Sequence, residues 1–502
     1  MAKEAGMRDL APVLMVQGTA SSVGKSVLVT ALCRIFKQDG IDVAPFKAQN
    51  MSNNADVTPD GLEIGRAQSE QAAAAGVTPS VEMNPVLLKP QADHESQLVL
   101  NGKPAGVLRS SEFVERKRDL WPHVERALTR LRSQYELIVA EGAGSPAEPN
   151  LRAGDIVNMR VARHAGATVL LAGDIDRGGV FAHLLGTLEL LEPEDRPLVR
   201  GFLINRFRGD RRLLDPALVE IEERTGVPVL GVVPWIRDLA IAEEDAVALE
   251  RGGGAGSGET AIDVAVIHHP RIANFDEFAA LGREPGVGVR YVESASALGS
   301  PDLIVLPGTK ATIADLAVLR ERGLDAAIVE RARLGCVVLG VCGGFQMLGT
   351  SIVDEMGVEA KPGTRVQGLG LLPVETRFEA AKETRRVSGS IVAGQGPFAG
   401  ASGLRVEGYE IHMGQSEGDC APLLEIEGRP SGAVSADGQI SGAYVHGLLE
   451  NDVLRQALLG ALGRPGPGGV APREAAFDQL ADVVRAHVDV ERVKALVFGA
   501  SD

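Results

Sequence analysis

The strongest constraint in this chain is a rhythm. Short apolar runs rich in Val, Ile and Leu, bounded by Gly or Pro, alternate with longer stretches of helical periodicity. Val13–Gly18, Leu137–Gly144, Thr168–Asp176, Gly201–Phe207 and Val227–Pro234 carry it through the first half. A strand that is apolar at every position has no solvent face, so both of its sides must be covered, as in a parallel sheet wrapped by helices. The first half is therefore expected to be a doubly wound α/β domain. Arg251–Gly258 reads RGGGAGSG, a flexible-linker composition, and the rhythm restarts at Ile262–His269, Asp302–Gly308 and Cys336–Gly344. A more β-like portion follows, and GRPGPGG at Gly463–Gly469 precedes a helical pattern around Arg473–Phe498. The expected division is a first domain at 1–250, a linker at 251–260, a second α/β domain at 261–462, and a linker with a helical tail at 463–502.

Composition narrows the partners. A net charge of −16 and only 4% aromatic residues argue against a general nucleic-acid binder, which needs a basic surface and stacking platforms. The four cysteines, Cys33, Cys336, Cys342 and Cys420, show no CxxC spacing, which disfavours structural zinc and fits a reducing cytoplasm. No stretch approaches the roughly 20 apolar residues of a membrane span. The expectation is a cytoplasmic protein with no nucleic-acid or membrane partner; oligomeric state carries no sequence signal.

Between the first strand and its helix lies Gly18-Thr19-Ala20-Ser21-Ser22-Val23-Gly24-Lys25-Ser26. This is a phosphate loop with one more residue between its glycines than the common form. In such a loop, backbone N–H groups and the helix N-terminus surround phosphate oxygens while a lysine neutralises their charge. Gly18, Thr19, Ser22, Val23, Gly24, Lys25 and Ser26 are the expected ATP-binding residues. Ser26 is placed to ligate Mg²⁺, and the site needs a carboxylate at a neighbouring strand end. Glu141 fits best, with Asp174 and Asp176 in reserve.

The second centre is Gly340-Val341-Cys342-Gly343-Gly344, again between an apolar run and a helix. A glycine-flanked residue at such a turn is exposed as a nucleophile, and a helix N-terminus favours its thiolate. The other three cysteines read as small buried side chains. The thiol needs a base. His446, followed by a glycine at a strand end, competes with His412 and with His268–His269.

Four segments around this centre, LPGTK, GVCGGFQMLG, GYEIHMG and YVHGLLEN, resemble the class I glutamine amidotransferase domain of the cobyric and cobyrinic acid synthase family. The resemblance implies Cys342 as nucleophile and His446 as its partner, an oxyanion hole at Gly308 and Gly343, and Gln346 against bound glutamine. Ordinary class I domains carry a Glu two residues after the histidine. Here that position is Leu448, a departure the family shares, and the group that orients His446 is left open between Glu450 and another residue. The first half, through VQGTASSVGKSVLV, PFKAQNMSNN, MNPVLLKP, EGAGSPAEPNL, DIVNM, DIDRGGVFAH and NRFRGD, resembles the same family's dethiobiotin-synthetase-like P-loop domain. Together the segments span most of residues 10–455, and PFKAQNMS, MNPVLLKP and SPAEPNL point to the cobyric branch rather than the a,c-diamide branch.

The activity this implies is ATP-dependent, glutamine-hydrolysing amidation of the b, d, e and g carboxylates of adenosylcobyrinic acid a,c-diamide. ATP, Mg²⁺ and L-glutamine as ammonia donor are expected, with no tightly bound organic cofactor. Lys47, Gln49, Asn50, Lys89, Ser145 and Asp155 are candidates for the corrinoid or acyl-phosphate region, with Asn205 and Arg206 near the nucleotide base. A partitioning-type ATPase switch shares the loop type, but it would leave the thiol turn without a purpose.

Overall fold

The computed structural model describes residues 10–109, 112–236, 261–463 and 473–499; apart from Gly463, both glycine-rich linkers lie outside them. In the first domain Val13–Gly18, Val43–Phe46, Leu137–Glu141, Thr168–Asp174, Val199–Phe207 and Val229–Pro234 form one all-parallel sheet. Its spatial order runs sixth, fifth, fourth, first, third, second, so the chain doubles back at the first strand. Every residue of Val13–Gly18 is buried, as its apolar run requires. The strands on either side of it end at Asp174 and Glu141, so the loop after Gly18 opens at the switch point where α/β sheets hold ligands.

The second domain repeats the plan. Val287–Val292, Ile262–Ile267, Leu303–Leu306, Val337–Val341 and Ile440–Ala443 are parallel, and Ala433–Val434 closes the edge antiparallel. A long antiparallel pair, Val374–Ile391 with Arg405–Gly418, accounts for the β-like portion.

Two features were not legible in the pattern. Residues 49–109 leave the first sheet to build a four-stranded sheet, a short hairpin of Ala55–Val57 with Glu63–Gly65, and the helix Arg66–Ala75. This insertion meets the second domain. Ala55, Val57, Leu87 and Val99 form one apolar cluster with Tyr409 and Ile411, and Arg386 Nε donates to the Val57 carbonyl at 2.6 Å.

The C-terminal tail is the other. It returns to the first domain and is part of its core, not an appendage. Phe477, Leu480, Ala481 and Val484 pack with Leu28, Leu32 and Ile35 of the helix Lys25–Gln38. Arg34 donates to Glu474 at 2.6 Å and Asp478 at 2.7 Å, and the Asp489 amide bonds the Leu230 carbonyl at 2.8 Å. Among the described residues no helix is long and apolar enough to cross a membrane.

Candidate active site

At the phosphate loop, the strand hands over to the helix through Ser22 and Gly24, with φ of 57° and 92°. Gly24 is required twice over: that φ disfavours a side chain, and a Cβ there would lie 2.2 Å from the Asn205 amide. Asn205 Nδ2 in turn donates to the Val23 carbonyl at 2.9 Å, bracing the loop from a neighbouring strand. The Thr19 amide bonds the Ala172 carbonyl, and Lys25 Nζ reaches the carbonyls of Ala20 and Gly144 at 3.0 and 3.3 Å. The cation is thus already held over the loop. Ser26 Oγ donates to Glu141 Oε1 at 2.9 Å.

Glu141 also accepts from Lys47 Nζ at 2.9 Å and Gln71 Nε2 at 2.6 Å. The reserve carboxylates lie elsewhere: Asp174 pairs with Arg206 at 3.0 Å and Asp176 with Arg208 at 3.4 Å. Mg²⁺ is ordinarily held by one or two protein oxygens, with phosphates and water completing its shell. Ser26 and Glu141 supply such a hard-oxygen pair. Among the described residues no group of three or more His, Cys, Asp or Glu could hold a metal without a ligand's help.

At the second centre the nucleophile turn is formed. Cys342 has φ 51° and ψ −108°, a strained conformation for a non-glycine residue, and Gly343–Leu348 begins the helix behind it. The helix can sit this close only because residue 344 is glycine: a Cβ there would lie 1.9 Å from the Leu306 carbonyl. His446 contacts the Cys342 thiol, and its ring lies over Gly308, 2.9 Å from where a Cβ would stand. His446 Nδ1 bonds Glu277 Oε1 at 3.0 Å, and Glu277 Oε2 accepts from the Gly447 amide at 2.9 Å.

Burial alone would lower the imidazole pKa. Glu277 and Cys342 outweigh it and raise His446 to about 10. His412 is different: burial takes it down to about 4, it bonds the Gly414 carbonyl, and it stacks on Tyr444. His269 is buried and taken down to about 3, and His268 pairs with Glu293. Burial pushes the thiols of Cys33, Cys336 and Cys420 up.

Glu277, not Glu450, is the carboxylate hydrogen-bonded to the His446 ring. Glu450 pairs with Arg66 of the insertion, and that guanidinium also lies 2.9 Å from Asp276. One signal could have found Glu277: an acidic pair, Asp276-Glu277, in the short 3-10 helix Phe275–Phe278 that follows Ile262–Ile267, at the same end of the sheet as Cys342.

Cys342, Gly308, Gln346 and His446 line a cavity of about 300 Å³. Gln346 is set by Thr312 Oγ1, which donates to its Oε1 at 2.9 Å. Sequence reasoning also passed over Lys310 and Glu359 in the same wall, where burial raises Glu359 to about 7. Lys89 lines this cavity instead of the phosphate loop, pairing at 2.6 Å with the buried Glu63. Lys47 reaches Glu141, while Gln49 and Asn50 are buried in the insertion behind it. Asp155 accepts the amides of Val157, Asn158 and Arg160, and Ser145 Oγ accepts the Ala147 amide, so both shape the loop after Glu141.

Residues 14–248 match the CobQ/CobB/MinD/ParA nucleotide binding domain family, and residues 263–454 match the CobB/CobQ-like glutamine amidotransferase domain family. Over its length the chain is similar to proteins named cobyric acid synthase. That of Dehalococcoides mccartyi is 50% identical over 500 residues, covering 97% of this chain and 98% of the relative. That of Moorella thermoacetica is 50% identical over 506 residues, covering 97% and 98%, and that of Chloroflexus aurantiacus 51% over 485, covering 95% and 97%.

Proposed function

The chain belongs to the cobyric acid synthase family of glutamine amidotransferase ligases, and on that premise we propose that it amidates the b, d, e and g carboxylates of adenosylcobyrinic acid a,c-diamide. The observation that carries the reading is the pairing of two centres across one buried interface: Ser26–Glu141 at a phosphate loop and Cys342–His446–Glu277 at a thiol turn. Neither centre alone makes an amide from a carboxylate.

A carboxylate resists ammonia because its leaving group would be oxide. Transfer of the γ-phosphoryl of ATP to the carboxylate oxygen yields an acyl phosphate and ADP. The loop amides and Lys25 cradle the phosphates, Ser26 and Glu141 would hold Mg²⁺, and that ion neutralises phosphate charge when bound. Lys47 and Ser145 border the position of the activated carboxylate.

At the other centre the Cys342 thiolate attacks the glutamine carboxamide carbon. The oxyanion falls to the amides of Gly308 and Gly343, and His446 delivers its proton to the departing nitrogen. Ammonia leaves, a thioester remains, and water drawn against His446 releases glutamate. Glu277 keeps the imidazole oriented and favours its charged form. Gln346 contacts the bound glutamine, while Glu359 and Lys310 match its α-ammonium and α-carboxylate. Ammonia then attacks the acyl phosphate, giving amide and phosphate.

Incubation with ATP, Mg²⁺, glutamine and either corrinoid tests the substrate. The a,c-diamide should gain four amides by mass, and cobyrinic acid should not be processed at its a and c positions. Amidation at a and c instead would move the chain to the a,c-diamide reading, leaving the two-centre chemistry intact.

A further inference from the structure

The cavity at Cys342 is not built by one domain. Lys89, Glu95 and Gln97 of the first domain line it together with Lys310, Glu359 and Lys382 of the second. Lys89 lies on the strand Val86–Ala92, directly across from Gln97 on Glu95–Leu100. Lys382 arrives from the other side. In the antiparallel pair Val374–Ile391 with Arg405–Gly418 the register breaks between Phe378 and Glu383, and the residues that bulge out there carry Lys382 to the insertion. Its ammonium donates to Glu63 and, at 3.5 Å, to Gln97 Oε1.

The two lysines share one counter-charge. Lys89 Nζ lies 2.6 Å from Glu63 Oε1, and Lys382 Nζ holds Oε2 of the same carboxylate. Burial would raise the Glu63 carboxyl, but Lys382 and Lys89 outweigh it and hold it at about 2. Burial takes the Lys382 ammonium down to about 8, with Glu63 opposing and Lys89 and Lys310 adding to the fall. Lys310 is lowered by burial and by Lys89, and it also feels the charge of Cys342. Three ammoniums thus stand close together in the wall that faces the thiol.

The carboxylates do not match them. Glu63 serves two ammoniums, Glu359 is drawn to Lys310, and Glu95 is taken by Arg109 at 2.9 Å. Burial raises Glu359 to about 7, which thins its negative charge further. Among the described residues this wall therefore carries one positive charge more than its carboxylates neutralise. A buried surplus ammonium is costly, and a bound anion removes the cost. Free glutamine brings one anionic group, its α-carboxylate. That group has lone pairs enough to accept from several lysines at once.

We propose that Lys89 and Lys382 join Lys310 in binding the α-carboxylate of glutamine, so that the insertion of the first domain selects the nitrogen donor of the second. The proposal rests on the amidoligase reading and assigns a specificity site to it. In either single variant, Lys89→Met or Lys382→Met, Glu63 keeps one ammonium, so the surplus charge goes without stranding a buried carboxylate.

The test compares hydrolysis of glutamine with that of glutaminamide, which keeps the side-chain amide and the α-ammonium but replaces the α-carboxylate by a neutral amide. The readout is the ratio of the two kcat/KM values, which does not depend on how much of a preparation is folded. Wild type should prefer glutamine by about 10²-fold or more. Lys89→Met and Lys382→Met should each raise KM for glutamine about 10-fold with kcat within about threefold, and lower the preference about 10-fold. Lys89→Arg should recover part of it. An unchanged preference in either methionine variant overturns the proposal. So does an equal loss with both substrates, because the lysines would then only shape the pocket. A wild type that hydrolyses both amides equally well removes the carboxylate site and leaves the ligase, whereas a wild type that hydrolyses neither removes the amidoligase reading itself.

Discussion

Just before its helix, the phosphate loop has Gly24 in the left-handed region at φ 92°, whereas the thiol turn has Cys342 itself at φ 51°. In the first turn the unusual conformation falls on a residue that adopts it freely, and the side chains that follow, Lys25 and Ser26, sit on an unstrained helix start. In the second it falls on a cysteine, which carries a side chain, so the surroundings must hold the strain. They do so with a glycine packed against Leu306 and a histidine fixed by Glu277. A ligand-binding turn can be nearly complete in one stretch of sequence. A nucleophile turn is completed by residues far along the chain.

If the centres divide the labour this way, Lys25→Ala should lower corrinoid amidation about 10³-fold with glutamine or ammonium alike, by loss of the phosphate clamp. Its glutaminase rate should stand. A parallel collapse of glutamine hydrolysis would break the comparison.

The mirror experiment is Glu277→Gln, which leaves His446 without a charged orienting partner. Glutaminase kcat should fall about 10²-fold with KM little changed, while ammonium-driven amidation is retained. Wild-type glutaminase in this variant would return the centre to a bare Cys-His pair.

Arg66→Gln sharpens the same line from the other domain. Arg66 lies 2.9 Å from Asp276, the residue before Glu277, so its loss should reduce glutaminase about 10-fold, in the manner of a carboxylate partner at one remove. Arg66→Lys should restore part of the rate. A shift in KM alone would place Arg66 in glutamine binding instead.

The smallest effect is on stability against pH. His446 rises from an ordinary 6.5 to about 10, so the folded state holds that proton more tightly than the unfolded state. The stabilisation is complete below pH 6.5 and is lost as pH climbs toward 10. The difference in Tm between wild type and Glu277→Gln should be largest near about pH 6 and shrink through that window. A gap that widens with pH would contradict the charged pair.

Both parallel sheets were legible because runs such as Val13–Val16 and Val337–Val341 have no polar face to expose. The phosphate loop and Cys342 were legible for the same local reason, sitting at the ends of those strands. Glu277 was not, since it bonds His446 across 169 positions and no spacing rule reaches that far. The insertion was hidden because its residues, Gln49, Asn50, Lys89 and their neighbours, look like surface polar groups until a second domain covers them. The tail was hidden too: its apolar stripe of Phe477, Leu480, Ala481 and Val484 announces a helix but not which domain it packs on.

One variant separates the two centres most directly. Cys342→Ala, given the a,c-diamide, ATP and Mg²⁺, should yield the fully amidated corrinoid by mass with ammonium and none with glutamine. Amide formation from glutamine, or its absence with ammonium while wild type makes it from both, would contradict two separate centres.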